Sequence, residues 1–164
     1  MNNTKGIFCL EGLWDSDLKI HSTISPILEL LRVKEKIDYI YKDVATEEEF
    51  EFYLNKWKQK KYKKYPILYL ATHGEENSIF LGNRKYSLDR LSEYLTGSCK
   101  NRIIVFGSCS TMKVRKHTLK KFLQKTNALA ICGYKIDVDW MVSTAFELLL
   151  LNTMQDNQLR LCQT

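Results

Sequence analysis

The chain has 164 residues, of which 45% are hydrophobic and 27% are charged, with a net charge of +6. This balance is typical of one globular domain, expected over residues 1–164, and excludes a disordered chain. No apolar run reaches the ~18 residues of a membrane span, and the N-terminus lacks the pattern of a secretory signal. We therefore expect a cytoplasmic protein without a membrane segment.

The five cysteines are odd in number and are never spaced C-x-x-C. This pattern indicates neither a disulfide framework nor a structural zinc site. We therefore expect reduced thiols, no metal and no cofactor. The cysteines are Cys9, Cys99, Cys109, Cys132 and Cys162.

The first half of the chain alternates predicted strands with predicted helices. Pro26 suits the first turn of one helix, and Thr46 with Glu49 forms the capping-box pattern that opens the next. The strand PILYLATH is almost continuously apolar, as are strands buried on both faces of a parallel sheet. In chain order we predict a strand at 6–13, a helix at 23–36, a strand at 38–44, a helix at about 46–60 and a strand at 66–73.

The second half continues the alternation after a small β-hairpin. Gly82 and Asn83 separate two short extended pieces, and Ser87 is the predicted N-cap of a helix that ends at Gly97. The run FELLLLNTM near the end predicts the buried face of a last helix. In chain order we predict a hairpin at 78–88, a helix from 87 to 97, a strand that begins at Arg102, a helix at about 117–126, a strand at 128–134 and a helix at about 139–154.

This order of elements predicts an α/β fold class, a three-layer α-β-α sandwich with a mostly parallel central sheet. A strand order of 2-1-3-4-5 makes the third and fourth core strands neighbours. In such sheets, ligands bind beyond the carboxyl ends of the strands.

The third and fourth core strands each end near a side chain that suits nucleophilic catalysis. His73 follows ILYLAT, and Cys109 follows RIIVFGS. On neighbouring strands the imidazole can accept the thiol proton, and the thiolate can attack a carbonyl carbon. The backbone N–H groups of Gly74 and Cys109 can then donate to the oxyanion. Either side chain alone is more often structural, so the hypothesis of a catalytic dyad depends on the pair.

The positive charge is concentrated in KWKQKKYKK, from Lys56 to Lys64. Lysines interleaved with Trp57 and Tyr62 suggest a patch for nucleic acid or for an acidic partner. The solvated end of a helix explains the same run, because lysines there suit the helix dipole and EEEFE upstream offsets their charge. Both interpretations stay open at this point.

The segments ILYLATHG and IIVFGSCST together resemble the caspase-like cysteine peptidases, most closely the bacterial-type CHAT group related to separase. ALAICGYKIDVDW also resembles the part of that group where an apolar strand is followed by an aromatic and acidic residues. The matching pieces cover about residues 66–147. The resemblance implies a caspase-like fold, His73 as general base, Cys109 as nucleophile, and the amides of Gly74 and Cys109 as oxyanion donors.

The resemblance also implies that an acidic residue after the fifth strand lines the pocket for the substrate residue preceding the scissile bond. Asp137 is the first candidate and Asp139 the second, although Asp139 equally suits a helix N-cap. A carboxylate there favours Arg or Lys. The implied function is a cysteine endopeptidase that cleaves a partner protein after a basic residue. Members of the group often serve as effectors in bacterial defence or cell death. By analogy, we expect this small domain to be such an effector, switched on by a regulatory partner.

An alternative from a different class is a non-catalytic caspase-like module. It would bind protein or nucleic acid through the Lys56–Lys64 face. A nucleotide-binding flavodoxin-like domain is disfavoured, because LEGLWDSD after the first strand has no Gly-rich phosphate loop.

Overall fold

A computed structural model describes residues 4–155. Every predicted strand and helix is found, with ends that differ from the predicted ones by no more than three residues. Cys162 lies outside the described residues. The elements are β1 (Ile7–Gly12), α1 (Ser25–Glu35), β2 (Tyr39–Val44), α2 (Glu47–Trp57), β3 (Ile67–Ala71), β4 (Gly74–Glu75), β5 (Ser78–Leu81), β6 (Arg84–Ser87), α3 (Leu88–Tyr94), β7 (Ile103–Gly107), α4 (Lys116–Thr126), β8 (Ala130–Gly133) and α5 (Trp140–Thr153).

Five parallel strands form the central sheet, in the order β2-β1-β3-β7-β8. Helices α1 and α5 cover one face of this sheet, and α2, α3 and α4 cover the other. The α/β three-layer class is therefore confirmed. The strand order is the 2-1-3-4-5 order, in which the third and fourth core strands, β3 and β7, are neighbours.

The middle strands are apolar throughout because both of their faces are buried. In β3, Ile67, Tyr69 and Ala71 point into the cluster beneath α1 and α5. Leu68 and Leu70 alternate with them and pack beneath the helices on the opposite face. All five residues of this strand are fully buried, which explains why the sequence shows no polar alternation there.

The predicted hairpin is present as β5 and β6, and a third strand that was not predicted joins it. β4 follows His73 directly and pairs antiparallel with β5. Asn77 makes the turn between them with a φ of 64°, a left-handed conformation that asparagine tolerates better than most residues. A strand of two residues is too short to produce a periodic sequence pattern.

Helix α5 differs from its predicted packing. Of the run FELLLLNTM, Phe146 is 53% exposed and Leu149 is 65% exposed, while Glu147 is buried. The expectation that this run forms a buried apolar face is thus wrong for part of the helix. The physical reason is that the side of α5 facing the sheet carries a polar contact. The hydroxyl groups of Tyr69 and Tyr134 donate hydrogen bonds to Glu147 there.

The lysine-rich run is divided by the end of α2. The helix ends at Trp57, and a short 3₁₀ turn follows at Lys60–Tyr62. The Trp57 indole is fully buried and donates its Nε1–H to the carbonyl of Tyr65 at 2.8 Å. Trp57 is therefore part of the core and is not available to stack on a nucleic-acid base. Within residues 4–155, no helix combines the length and apolar character needed to cross a membrane.

Candidate active site

The register between β3 and β7 brings the predicted dyad residues to one edge of the sheet. Ala71 pairs with Gly107 at the last rung of this parallel ladder. His73 and Cys109 each follow that pair by two residues, so they leave the two neighbouring strands at equivalent positions. We call this edge, beyond the C-termini of β1, β3 and β7, the carboxyl end of the sheet.

The His73 imidazole is oriented by a backbone carbonyl. Its Nε2 lies 2.7 Å from the carbonyl oxygen of Trp14, in the loop after β1, and the Trp14 ring packs edge-on against the imidazole with centroids 5.2 Å apart. A carbonyl can only accept, so Nε2 carries the hydrogen of the neutral ring and Nδ1 keeps the lone pair. Trp14 was not predicted to be part of the site.

A buried carboxylate holds the loop that carries Trp14. Glu11, at 1% exposure, accepts hydrogen bonds from the Trp14 indole, from the Thr23 hydroxyl at 2.7 Å and from the Ile24 amide at 2.8 Å. The Tyr41 hydroxyl contacts the same carboxylate. The signal in the sequence was a glutamate inside the apolar run GIFCLEGL, where a charged residue is buried only when it is paired.

The Cys109 thiol is half-buried beside the loop that follows β8. Its sulfur lies 3.5 Å from the amide nitrogen of Val138 and 3.7 Å from the Val138 carbonyl oxygen. The Val138 N–H is thus placed to donate to a thiolate, and the carbonyl can accept from the neutral thiol.

The other described thiols are poor nucleophiles. Burial raises the pKa of Cys9 and Cys132 above the ordinary thiol value, and it raises the pKa of Cys99 to about 12. These three thiols are therefore protonated at neutral pH, and the thiolate is the reactive form.

The backbone turns sharply immediately after Cys109. Ser110 has a φ of 53°, in the left-handed region that residues other than glycine seldom adopt. Its N–H donates to the Ile136 carbonyl at 3.1 Å, and its hydroxyl donates to Asp137 at 2.6 Å. Two contacts from the loop after β8 thus stabilise the turn. No sequence pattern predicts this conformation, since serine suits many turns.

Gly74 lies against the loop that carries Cys109, where no side chain fits. A Cβ atom at this position would lie 2.2 Å from Thr111 Oγ1 and 2.8 Å from the Cys109 carbonyl oxygen. Thr111 is itself fully buried, and its hydroxyl bonds to Ser108 at 2.8 Å and to the Ser78 carbonyl at 3.1 Å. These contacts attach the β7–α4 loop, which we call the thiol loop, to the three-stranded sheet of β4, β5 and β6, which we call the hairpin sheet.

At this edge, two backbone N–H groups have no acceptor within the part of the chain that the structure describes. Phe80 N–H donates to the His73 carbonyl at 2.9 Å, which makes His73–Phe80 a hydrogen-bonded pair of the antiparallel ladder. The next pair, Gly74–Ile79, is then a non-bonded pair, and the Gly74 N–H points away from β5. The Cys109 N–H donates to no acceptor within residues 4–155.

The two predicted specificity residues differ in their surroundings. Asp139 is the N-cap of α5 and accepts from the Val142 amide at 3.0 Å. Asp137 is exposed, and it accepts from the hydroxyl of Ser110, the residue after the thiol. Of the two carboxylates, Asp137 is the one at the thiol loop. Among residues 4–155, no group of three or more His, Cys, Asp or Glu side chains is arranged to hold a metal ion.

Glu147 lies behind the end of β7 and was not singled out in the sequence. It is 4% exposed, and a Cβ atom added to Gly107 would lie 3.0 Å from its Oε2. Burial raises the pKa of the Glu147 carboxyl, and the hydroxyl groups of Tyr69 and Tyr134 partly offset this effect by donating to it. The carboxyl therefore belongs to the support of the site rather than to its open side.

The fold and these strand ends define an α/β protein with a thiol and an imidazole at one edge of a parallel sheet. The chain belongs to the family of unknown function DUF6642, whose profile matches residues 4–161. Among solved structures, the chain is similar to caspase-1 from Spodoptera frugiperda, with 16% sequence identity and a TM-score of 0.46. The match covers 66% of this chain and 49% of that caspase, so the chain spans about half its length. No curated protein matches the sequence.

Proposed function

We propose that this chain is a caspase-like cysteine endopeptidase in which His73 and Cys109 form the catalytic dyad. The main support is the register of β3 and β7, in which both residues follow the pair Ala71–Gly107 by two positions. The Trp14 carbonyl adds to it, because a protonated Nε2 leaves Nδ1 of His73 as the basic nitrogen.

In the acylation step, Nδ1 of His73 takes the proton from Cys109, and a sulfur electron pair forms a bond to the carbonyl carbon of the scissile amide. The carbonyl π electrons move to oxygen. When the tetrahedral intermediate collapses, the C–N bond breaks and the leaving amine takes the proton from His73. Water then attacks the thioester with His73 as base, which releases the carboxylic acid and restores the thiol.

The N–H groups of Gly74 and Cys109 are the proposed donors to the oxyanion. Their support is the antiparallel alternation at Gly74 and the lack of an acceptor for the Cys109 N–H within residues 4–155. Backbone donors fixed before the reaction stabilise developing charge without reorganisation. Thr111 keeps both segments in contact through its hydroxyl and through its close approach to Gly74.

Asp137 is the proposed specificity residue, with a preference for Arg or Lys before the scissile bond. Its carboxylate is exposed beside the thiol loop, whereas that of Asp139 is occupied in capping α5. A guanidinium or ammonium group forms charge-assisted hydrogen bonds with such a carboxylate. The resemblance to the CHAT group extends this proposal to an effector of bacterial defence or cell death, which cleaves a partner protein under the control of a regulatory partner.

The test of catalysis compares purified wild-type protein with Cys109→Ala and His73→Ala on fluorogenic peptides that end in Arg or Lys. We expect each variant to lower kcat/KM by about 1,000-fold or more. His117→Ala and Cys132→Ala are the matched controls and should retain wild-type activity. Equal activity in the wild type and both dyad variants would overturn the proposal, as would a wild type without activity under every partner condition tried.

The test of specificity uses Asp137→Asn, with Asp139→Asn as its matched control. We expect Asp137→Asn to lower kcat/KM for Arg and Lys substrates by about tenfold, and to leave uncharged substrates unaffected. Asp139→Asn should change neither, because asparagine also caps helices well. An equal loss in both variants would mean that neither carboxylate selects the substrate.

A second candidate is a non-catalytic module of the same fold, and the lysines beyond Trp57 favour it because Lys60, Lys63 and Lys64 remain exposed. Alkylation by iodoacetamide at neutral pH separates the two candidates. An activated Cys109 should react far faster than Cys99, whose pKa burial raises to about 12. If Cys109 reacts no faster than Cys99, the module is the better description.

A further inference from the structure

The edge of the central sheet opposite the thiol carries a concentration of positive charge. A cavity of about 750 Å³ lies beside the residues that precede β1, β3 and β7, which we call the amino end of the sheet. Among residues 4–155, Asp38 is the one carboxylate in its lining. The cations that line it include Lys58, Lys60, Lys63, Lys64, Lys100 and Arg102.

These six cations have no acidic partners in the part of the chain that the structure describes. The ion pairs among residues 4–155 all involve other basic residues, on α1, β6, α3 and α4. Like charges that share a concave surface repel one another and destabilise the compact state. Their convergence from the segment after α2 and the segment before β7 is therefore favourable mainly when an anion occupies the cavity.

Arg102 is a buried positive charge within this group of cations. The residue is 8% exposed, and its guanidinium donates to the Trp57 carbonyl at 2.6 Å and stacks on the Trp57 ring at 4.3 Å. Buried charges are usually paired with an opposite charge, but these partners are all neutral. Burial accordingly lowers the pKa of the Arg102 guanidinium. An anion in the cavity would supply the missing negative charge.

We propose that this cavity binds a small molecule that carries several phosphate groups, such as an inorganic or nucleoside polyphosphate. The volume lies within the range of small-molecule sites, the lysines of the lining supply ammonium groups for phosphate oxygens, and the buried Arg102 guanidinium adds a further positive charge. Within the described range 4–155, no aromatic side chain lines the cavity, so these residues offer no stacking platform for single-stranded nucleic acid. The proposal does not depend on the proposed peptidase activity.

Isothermal titration calorimetry of the full chain at about 0.15 M NaCl tests the proposal, because surface charges are substantially screened at that ionic strength. The probes are tripolyphosphate and ATP, with sulfate at matched ionic strength as the reference anion. We expect saturable binding of tripolyphosphate with a Kd below about 1 mM and no saturation by sulfate. Tighter binding of ATP would assign the site to nucleotides, and equal binding would assign it to the phosphate chain alone.

The triple variant Lys60→Gln, Lys63→Gln, Lys100→Gln should bind tripolyphosphate about tenfold more weakly, because it loses three charge-assisted contacts.

The charge-matched control is Lys34→Gln, Lys116→Gln, Lys120→Gln, whose residues are exposed and lie outside the cavity lining. It should bind like the wild type. Equal weakening in both triple variants would overturn the proposal, since the binding would then reflect net charge alone. Failure to saturate with either polyphosphate would also overturn it, and so would binding of a short single-stranded DNA that neither polyphosphate can displace.

Discussion

The two ends of the central sheet use their polar residues in opposite ways. At the carboxyl end, acidic side chains are tied to neighbouring donors: Glu11 to the loop of Trp14, Asp137 to Ser110 and Asp139 to the first turn of α5. At the amino end, six cations line a cavity and have no acidic partners among residues 4–155: Lys58, Lys60, Lys63, Lys64, Lys100 and Arg102. These carboxylates thus have donors within the protein, whereas the six cations have no acidic partner among residues 4–155.

This difference indicates how each end can interact with a ligand. At the carboxyl end, hydrogen bonds hold the loops in place. Within residues 4–155, Nδ1 of His73 and the N–H groups of Gly74 and Cys109 have no hydrogen-bond partner, and the Cys109 thiol contacts the Val138 backbone. Such a set suits chemistry on a neutral carbonyl group. The six cations at the amino end have no acidic partners among residues 4–155, which suits binding of an anion. Substitutions at each end should therefore differ in the size and even in the sign of their effect on stability.

The largest expected effect is at the carboxyl end, for Glu11→Ala. Removing this carboxylate leaves the Trp14 indole, the Thr23 hydroxyl and the Ile24 amide without their acceptor. Because buried unsatisfied donors are costly, we expect the free energy of unfolding to fall by about 3 kcal/mol. Urea denaturation at neutral pH measures it. Glu35→Ala, on the exposed side of α1, is the control, and a loss at Glu11 no larger than the control would contradict the comparison.

The next effect is for Gly74→Ala, which tests how tightly the hairpin sheet abuts the thiol loop. The added Cβ would overlap Thr111 Oγ1 and the Cys109 carbonyl oxygen, so one segment must move. We expect a loss of about 2 kcal/mol in the free energy of unfolding, together with slower alkylation of Cys109. An alanine variant with wild-type stability and wild-type alkylation would show that the contact is loose.

Much of the fold was predictable from the sequence because its signals are local. Thr46 and Glu49 are three residues apart, and the structure contains both hydrogen bonds of the capping box that their spacing predicts. The run from Ile67 to Ala71 predicted a doubly buried strand for the equally local reason that all its residues are apolar. The general rules for parallel α/β sheets then left a few strand orders, and the observed order is one of them.

The supports of the site were not predictable because they depend on atoms far apart in the sequence. The Trp14 carbonyl accepts the hydrogen bond from His73, which is 59 residues away in the sequence, and a backbone oxygen has no sequence signature. Glu147 meets Tyr69 across 78 residues, and without that contact its run appeared to be an apolar helix face. The left-handed turn at Ser110 depends on the loop of Asp137, which the chain reaches only after another helix and strand.

A pH-dependent effect is expected for Glu147→Gln. Burial raises the folded-state pKa of this carboxyl above its unfolded value, so the folded state binds the proton more tightly. The wild type then loses stability relative to the variant as the pH rises from the unfolded-state pKa through the folded-state pKa. At pH values below both pKa values, the two proteins differ least in their free energy of unfolding. Urea denaturation at several pH values between about 4 and 8 measures this trend. A difference that does not grow with pH would contradict it.

A smaller effect is expected for Asp139→Ala, which removes the N-cap of α5. The lost acceptor for the Val142 amide should reduce the free energy of unfolding by about 1 kcal/mol, whereas Asp139→Asn should restore most of it. Thermal denaturation of the two variants checks the expectation. Equal stability of the alanine and asparagine variants would mean that the cap contributes nothing measurable.

The smallest effect is expected at the amino end and has the opposite sign. The triple variant Lys60→Gln, Lys63→Gln, Lys100→Gln removes charges that repel one another around an empty cavity, so without an anion it should be more stable than the wild type by about 0.5 kcal/mol. Raising the salt concentration to about 0.5 M should cancel the gain, because screening weakens the same repulsion. Urea denaturation at low and high salt measures both. A variant less stable than the wild type at low salt would show that these lysines already have stabilising partners, and the contrast between the two ends would then fail.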